Sequence, residues 1–323
     1  MPDQREILVF GSHVYGSYIH CERIPRAGET VAGTGYRAMV LDDGGKGSNQ
    51  AMCAARLTGK TSLVSAIGTD RGGEEGLAVL SAEGCDVSRV LHSPDLPTGV
   101  SLAAIDGAGM SIIITDPGAN LMLTADAARS NETVFGQHMF CLLQFESPKD
   151  GALEAARLAR KHGARSMLTP GPMVALDKDD LKGLDIIIPN ETEAAELLGV
   201  EEISDYRAAA REICARWGVS NTIITCGSRG AVAWWESVLV EVPAFKVDAK
   251  NTIGAGDAFA AASALALCRG LEISQALRFA AAVAAISVST AAAPWTSYPS
   301  LNHVHDFLAN AGEALRLPPI SGL

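Results

Sequence analysis

The 323-residue sequence predicts an α/β fold, with a mostly parallel central sheet flanked by helices and a small β-sheet added to it. Three observations carry this prediction. From Lys60 onward, short apolar runs alternate with longer segments of helical spacing, the pattern of a helix-covered parallel sheet. Two stretches, 13–43 and 98–116, hold β-formers and turn residues without a helical period. Two glycine-rich turns, 44–47 and 254–256, each feed a segment that reads as a helix, the second a run of small residues.

In chain order, Ile7–Phe10 is a short apolar run and reads as a buried first strand. The 13–43 stretch carries turn residues at 26–30 and 33–35, and Ser48–Leu57 reads as a helix that stops at Gly59. Ser62–Ile67 reads as a strand and Glu74–Glu83 as a helix. In 98–116, the runs 100–105 and 111–115 flank Asp106-Gly107, a hairpin signal. Further strands are expected at Met139–Leu143, Ser166–Leu168, Ile186–Ile188 and Thr222–Thr225. Helices are expected at Lys149–His162, Glu191–Leu198 and Asp205–Trp217. Trp234-Trp235 is read in a strand with one ring in the core. Ala280–Ala293 is too short to span a bilayer and reads as a buried helix and the turn after it. The whole, residues 1–323, is one domain with 13–43 and 98–116 forming an inserted sheet. Ligands of such folds bind beyond the carboxyl ends of strands, where Glu146, Asn190 and Thr225 fall.

Composition narrows the function. The net charge is −11 and no basic run occurs, which argues against a nucleic-acid partner. An anionic ligand must then be held by local donors and metal. Seven cysteines, scattered and without CxxC spacing, read as reduced cytosolic thiols. Residues 1–6 are polar and 7–10 too short for a signal core, so a cytoplasmic protein with no membrane partner is expected.

Two motifs carry chemistry. In Asn251-Thr252-Ile253-Gly254-Ala255-Gly256-Asp257, a tight turn opens a helix, and free N–H groups with the helix dipole make an anion site. A carboxylate at Asp257 would be repelled by a bound phosphate unless it has a task, such as taking a proton from an attacking hydroxyl. The bland alternative is a capping Asp on a buried helix. In Asp42-Asp43-Gly44-Gly45-Lys46-Gly47-Ser48-Asn49-Gln50, a cation sits among glycines beside an amide, suited to a polyhydroxylated ligand. The alternative there is a loop with a solvated lysine. The spacing of Asn190 and Glu193 fits a capping box as well as a ligand role.

These motifs resemble the ribokinase (PfkB) family of carbohydrate kinases, and the ribokinases within it most. The likeness runs through 44–51, Arg56-Leu57, 66–70, Gln144-Phe145-Glu146-Ser147-Pro148, Pro189-Asn190-Glu191-Thr192-Glu193, 225–230 and 251–257, in family order. The resemblance implies a ribokinase-like fold whose small sheet is a lid over the sugar and a homodimer contact. It implies ATP-dependent phosphorylation of a sugar or polyol hydroxyl, with ATP and Mg2+. Asp257 would be the base, and the N–H groups of Gly254, Ala255 and Gly256 the anion hole. Gly45, Lys46, Asn49, Glu146 and Asp257 would hold the acceptor. Asn190, Thr225, Gly227, Gly230 and Gly256 would border the nucleotide, with Asn190 and Glu193 organising Mg2+ through water.

Departures from the family pattern set further expectations. Val14 and Gly16 stand where ribokinases carry an Asn and an Asp that bind the sugar, so an acceptor other than ribose is expected, with His13, Tyr15, Asp42 or Asp43 shaping the pocket. Asn251 stands where the family has an Asp of a monovalent-cation site, so K+ activation is expected to be weak or absent. Ala281 replaces a residue that is often polar near the adenine. A nucleoside kinase on the same fold is the first alternative. A non-catalytic sugar- or nucleotide-binding regulator is the second, against which the retained Asp257 argues.

Overall fold

The computed structural model describes residues 5–39, 43–58, 60–107 and 111–319. Asp42 and Gly59 lie outside the described residues, as do 40–41 of the first β-rich stretch and 108–110 of the second. Among the described residues, nine strands form the main sheet. Their spatial order is Val238–Val242, Ala231–Trp235, Asn221–Thr225, Ile186–Ile187, Arg165–Thr169, His138–Gln144, Arg5–Phe10, Thr61–Val64 and Cys85–Asp86. The pairs from Asn221–Thr225 to Cys85–Asp86 are parallel, and the two strands at the other edge are antiparallel.

Successive residues of a strand face opposite sides, and the first strand shows it. Ile7 and Val9 pack with the Gly45–Thr58, Ala255–Cys268 and Ile273–Val288 helices. Leu8 and Phe10 pack with Lys149–Lys161, Glu191–Leu198 and Tyr206–Trp217 on the other face. All four are fully buried, as a strand covered on both faces requires. Trp235 is in the core, while Trp234 carries the Arg211 guanidinium over its ring.

Two expected elements differ. Ser62–Ile67 is not one strand: Thr61–Val64 stays in the main sheet, and Ala66–Gly68 pairs instead with Leu91–Ser93. The Val64 carbonyl accepts the Gly11 N–H and the Ser65 carbonyl the Leu91 N–H, so the chain changes sheets at Ser65. A buried apolar run looks the same on both sides of such a switch. The helix expected from Ser48 starts at Gly45. Lys46 therefore stands in the first turn of a helix, and Gly47 is small for packing: a Cβ there would lie 2.4 Å from the Ser12 nitrogen.

The 13–43 and 98–116 stretches meet in one four-stranded sheet, Gly33–Met39, Val14–Cys21, Gly99–Ile105 and Ser111–Asp116. Gly99–Ile105 and Ser111–Asp116 form the expected antiparallel hairpin, and the two stretches join through the parallel pair of Val14–Cys21 with Gly99–Ile105. One face buries Tyr18 and Ala103 against Ile253 and Ala293, beside the Gly254 turn. Val100, Leu102, Ile112, Ile114 and Tyr36 are exposed. Asn120 pins the root of this sheet, donating to the His13 and Pro117 carbonyls and accepting the His13 N–H. Among the described residues, no helix is long and apolar enough to cross a membrane.

Candidate active site

Gly254 takes φ of 74°, a left-handed conformation natural only to glycine, and turns the chain into the Ala255–Cys268 helix. A Cβ there would also strike the Tyr298 hydroxyl at 2.6 Å. Asp257 consequently sits in the first helical turn. Among the described residues, the N–H groups of Gly254, Gly256 and Asp257 make no hydrogen bond, whereas the Ala255 N–H is taken by the Thr252 carbonyl at 3.3 Å. The free donors are thus Gly254, Gly256 and Asp257, not the expected Gly254, Ala255 and Gly256. The reason is the short turn before the helix, which bends the Thr252 carbonyl back onto Ala255.

The Asp257 carboxyl is 5% exposed and accepts from Gln50 Nε2 at 3.1 Å. Burial pushes its pKa up to about 7; Lys46 and the Gln50 hydrogen bond oppose the rise, while Glu146 and Asp43 add to it. Burial alone would lower the Lys46 pKa, but the carboxylates of Asp257, Glu146, Glu193 and Asp43 hold it above its ordinary value. One ammonium therefore stands among four carboxylates. Gly171 lets it in: a Cβ there would lie 3.2 Å from Lys46 Nζ and 2.4 Å from Glu193 Oε1.

Glu146, just past its strand, accepts from Ser12 Oγ at 2.6 Å and the Lys46 N–H at 2.7 Å. Gly45 fits between Val14 and Glu146, at 2.8 and 3.0 Å from its would-be Cβ. Asn49 faces inward: its Oδ1 accepts from the Gly44 N–H and Trp295 Nε1, and its Nδ2 donates to Asp43 Oδ1 at 2.8 Å. One amide hydrogen is left for any ligand. Asp43 also accepts from the Tyr18 hydroxyl at 3.0 Å, and lies 3.6 Å from a would-be Cβ on Gly16. His13 is buried against Gly76, bonded to Ser48 Oγ at 2.8 Å; burial lowers its pKa to about 4. Tyr15 packs toward Gly72.

A groove of about 740 Å³ runs from Lys46 and Asp257 past Gly254, Asn190, Thr225, Gly227 and Gly230 to Phe245 and Ala281. Gly45, Asn49 and Glu146 lie at the Lys46 end, outside its lining. Asn190 and Glu193 form a full capping box on the Glu191–Leu198 helix, so the structural role of this pair is real. Glu193 is nonetheless buried beside the groove, with its pKa raised by burial against the pull of the Asn190 N–H and Lys46. Its Oε1 makes no hydrogen bond among the described residues. That donor set suits a magnesium ion, which keeps most of its waters and takes few protein oxygens. Beyond Gly256, Ala281, Ala284, Ala285 and Val288 give the groove an apolar lining.

Sequence reasoning quoted Gln50 within the glycine motif without giving it a role, and missed Gly171, Trp295 and Tyr298. Gly171 had a signal, since Pro170-Gly171-Pro172 follows a strand at its carboxyl end. Trp295 and Tyr298 had none. They brace both turns from far along the chain, Trp295 bonding Asn49 and Tyr298 donating to the Gly254 carbonyl at 3.2 Å.

The pfkB family carbohydrate kinase profile matches residues 4–294. A ribokinase of Haemophilus influenzae is 32% identical over 309 residues, covering 95% of this chain and all of that one. A deoxyribokinase of Salmonella typhi is 30% identical, covering 94% and 99%. Among solved structures, Arabidopsis thaliana ribokinase complexed with ribose and ATP superposes with a TM-score of 0.85 at 29% identity, covering 94% of this chain and 98% of that one. The match spans the fold, both glycine turns and the groove, and the chain belongs to the pfkB family of ATP-dependent carbohydrate kinases.

Proposed function

We propose that the protein transfers a phosphoryl group from ATP to a hydroxyl of a neutral sugar or polyol, with Asp257 taking the hydroxyl proton. The observation that carries this reading is the buried Asp257 carboxyl beside unpaired N–H groups, where the groove meets Lys46. Buried with a pKa near neutrality, it is basic enough to accept a proton at working pH. The Gly254, Gly256 and Asp257 N–H groups meet the charge of the transferred group. Lys46 balances that charge against Asp257, Glu146 and Glu193. Gly45, Lys46 and Glu146 line the acceptor end. Asn49, most of whose bonding capacity is spent internally, chiefly holds Asp43 in place. Asn190 and Glu193 would hold Mg2+ through water, and the ion, when bound, neutralises charge on the phosphates. The apolar Ala281 slot takes the base, and Thr225, Gly227 and Gly230 flank the nucleotide. The small sheet serves as a lid that excludes water from the acceptor. Its exposed face joins two copies as a homodimer.

The acceptor is the finer question. The relatives named ribokinase and deoxyribokinase lend no support to the expectation that ribose is excluded. That expectation rests chiefly on Val14 and Gly16, with Asp42 and Asp43 read as an insertion before Gly44, and Asp43 places a carboxylate beside Gly16. A coupled ATPase screen of D-ribose, 2-deoxy-D-ribose, hexoses, polyols and nucleosides decides it. Highest kcat/KM with ribose would overturn the reading of Val14 and Gly16, and a nucleoside in that place would favour a nucleoside kinase. In the same assay Asp257→Asn is expected to lose about 10²–10⁴-fold in turnover while ATP binding survives. Near-normal turnover would remove Asp257 as the base.

A further inference from the structure

The helix that carries Lys46 also carries Gln50, whose side chain is fully buried. Gln50 Nε2 donates to Asp257 Oδ1 at 3.1 Å and to Thr169 Oγ1 at 3.3 Å. Gln50 Oε1 accepts from Gln144 Nε2 at 2.6 Å. Gln144 and Thr169 are the last residues of neighbouring strands of the main sheet, paired in register. A hydrogen-bonded row thus runs from two strand ends, through one helix, to the carboxyl at the start of another.

Both ends of the row are informative. Asp257 Oδ2 takes no hydrogen bond among the described residues, so it is the oxygen left to meet an acceptor hydroxyl. At the other end, Gln144 Oε1 is buried without a partner among the described residues, and a Cβ on Gly11 would lie 1.9 Å from it. A buried unpaired acceptor is costly and calls for a reason. Ionised Asp257 supplies one. A carboxylate only accepts, so Gln50 must turn its amide hydrogens toward it. The Gln50 carbonyl then faces Gln144, which must turn its own amide hydrogens that way. Gln144 Oε1 is left facing Gly11, the residue whose missing side chain makes room for it. Turning either amide alone would set oxygen against oxygen.

Resting on the reading of Asp257 as the base, we infer that Gln50 is a positioning residue for phosphoryl transfer, clamping Asp257 Oδ1 so that Oδ2 faces the acceptor, with Gln144 holding Gln50 in that orientation. The same hydrogen bond pulls against the burial that raises the Asp257 pKa, so it keeps the carboxylate available near neutral pH.

The test is Gln50→Met, which keeps the volume and removes the donor, with Gln144→Met beside it. The Asp257 titration is read in the acceptor-free protein by difference infrared spectroscopy in the carboxyl region, with Asp257→Asn as the blank. In Gln50→Met the midpoint is expected to rise by about one pH unit, the scale of one lost hydrogen bond to a charged group. Gln144→Met should shift it the same way by less. With D-ribose or 2-deoxy-D-ribose, whichever turns over faster, the acidic limb of kcat/KM should move with the midpoint. At a pH below that limb, kcat should fall about tenfold, with the KM values for ATP and sugar within about twofold. A general loss of packing would not move the titration in this manner. An unshifted midpoint in Gln50→Met overturns the inference, and if that variant does not fold, an unshifted midpoint in Gln144→Met does so. Retained turnover in Asp257→Asn would instead sink the parent reading, while the titration would still report whether Gln50 governs the carboxyl.

Discussion

At the scale of single residues, Asp257 is held in a place that does not favour its charge. Its pKa rises from the usual carboxylate range to about 7, chiefly through burial. A raised folded-state pKa means that the folded protein holds this proton more tightly than the unfolded chain does. The associated stability is fully present below about pH 4 and is lost as pH climbs through about 7, by on the order of 4 kcal/mol at most. Two consequences follow for one experiment each. Urea unfolding should show Asp257→Asn gaining on the parent as pH rises from 5 to 8; a gap that does not widen with pH would contradict the assigned burial cost. Turnover by the parent should fall on the acid side of about pH 7, as Asp257, the proposed base, becomes protonated. The place of Asp257 in a helix's first turn was readable from the Gly254-Ala255-Gly256-Asp257 run, because a glycine turn before a run of small residues marks a helix start. Its hydrogen bond from Gln50 was not, because a buried amide declares its partner only in three dimensions.

At the scale of elements, hydrogen bonds of Lys250 and Asn251 tie the loop 249–253 to the end of the Ile273–Val288 helix and the loop after it. Asn251 Nδ2 donates to the Ala292 carbonyl at 3.1 Å, and Asn251 Oδ1 accepts the Ile253 N–H at 3.0 Å. The Lys250 N–H donates to the Val288 carbonyl at 2.7 Å. Asn251 brings no charge to this place, and its side chain is engaged in these two hydrogen bonds. Potassium is therefore expected to raise turnover less than tenfold. The measurement compares an organic-cation buffer free of Na+ and K+ with the same buffer plus KCl at constant ionic strength. A tenfold rise, about 1.4 kcal/mol in the barrier, would refute it. At this scale sequence reading located the Glu191–Leu198 helix and its capping box to the residue, since both signals are local. It began the Gly45–Thr58 helix three residues late, because glycines read as loop when their real task is packing on Ser12.

At the scale of the molecule, the four-stranded sheet covers the Gly254 turn with one face and leaves apolar side chains on the rest. Ile114 is 66% exposed, with Val100, Leu102 and Ile112 on the same paired strands, and Tyr36 is 67% exposed at the other edge of the sheet. An apolar surface of that kind marks an interaction site, and the proposal of a homodimer through this sheet makes a direct prediction. Ile114→Lys should shift the protein from dimer to monomer in sedimentation at micromolar concentration. A parent chain that already sediments as a monomer would end the proposal.

What the sequence determined by itself is the set of features that arise from neighbours along the chain. Alternating strands and helices, the hairpin at Asp106-Gly107, the capping box at Asn190 and the two glycine turns all rest on backbone preference and local side-chain geometry. What only the tertiary structure decided is how side chains far apart share the burial and charge of the site. It placed Lys46 among the carboxylates of Asp43, Glu146, Glu193 and Asp257, turned Asn49 inward to Trp295, and opened room at Gly171. It also split Ser62–Ile67 between two sheets. The physical reason is common to these cases: hydrogen bonding and desolvation act between groups that the fold brings together, and they leave no trace in local periodicity.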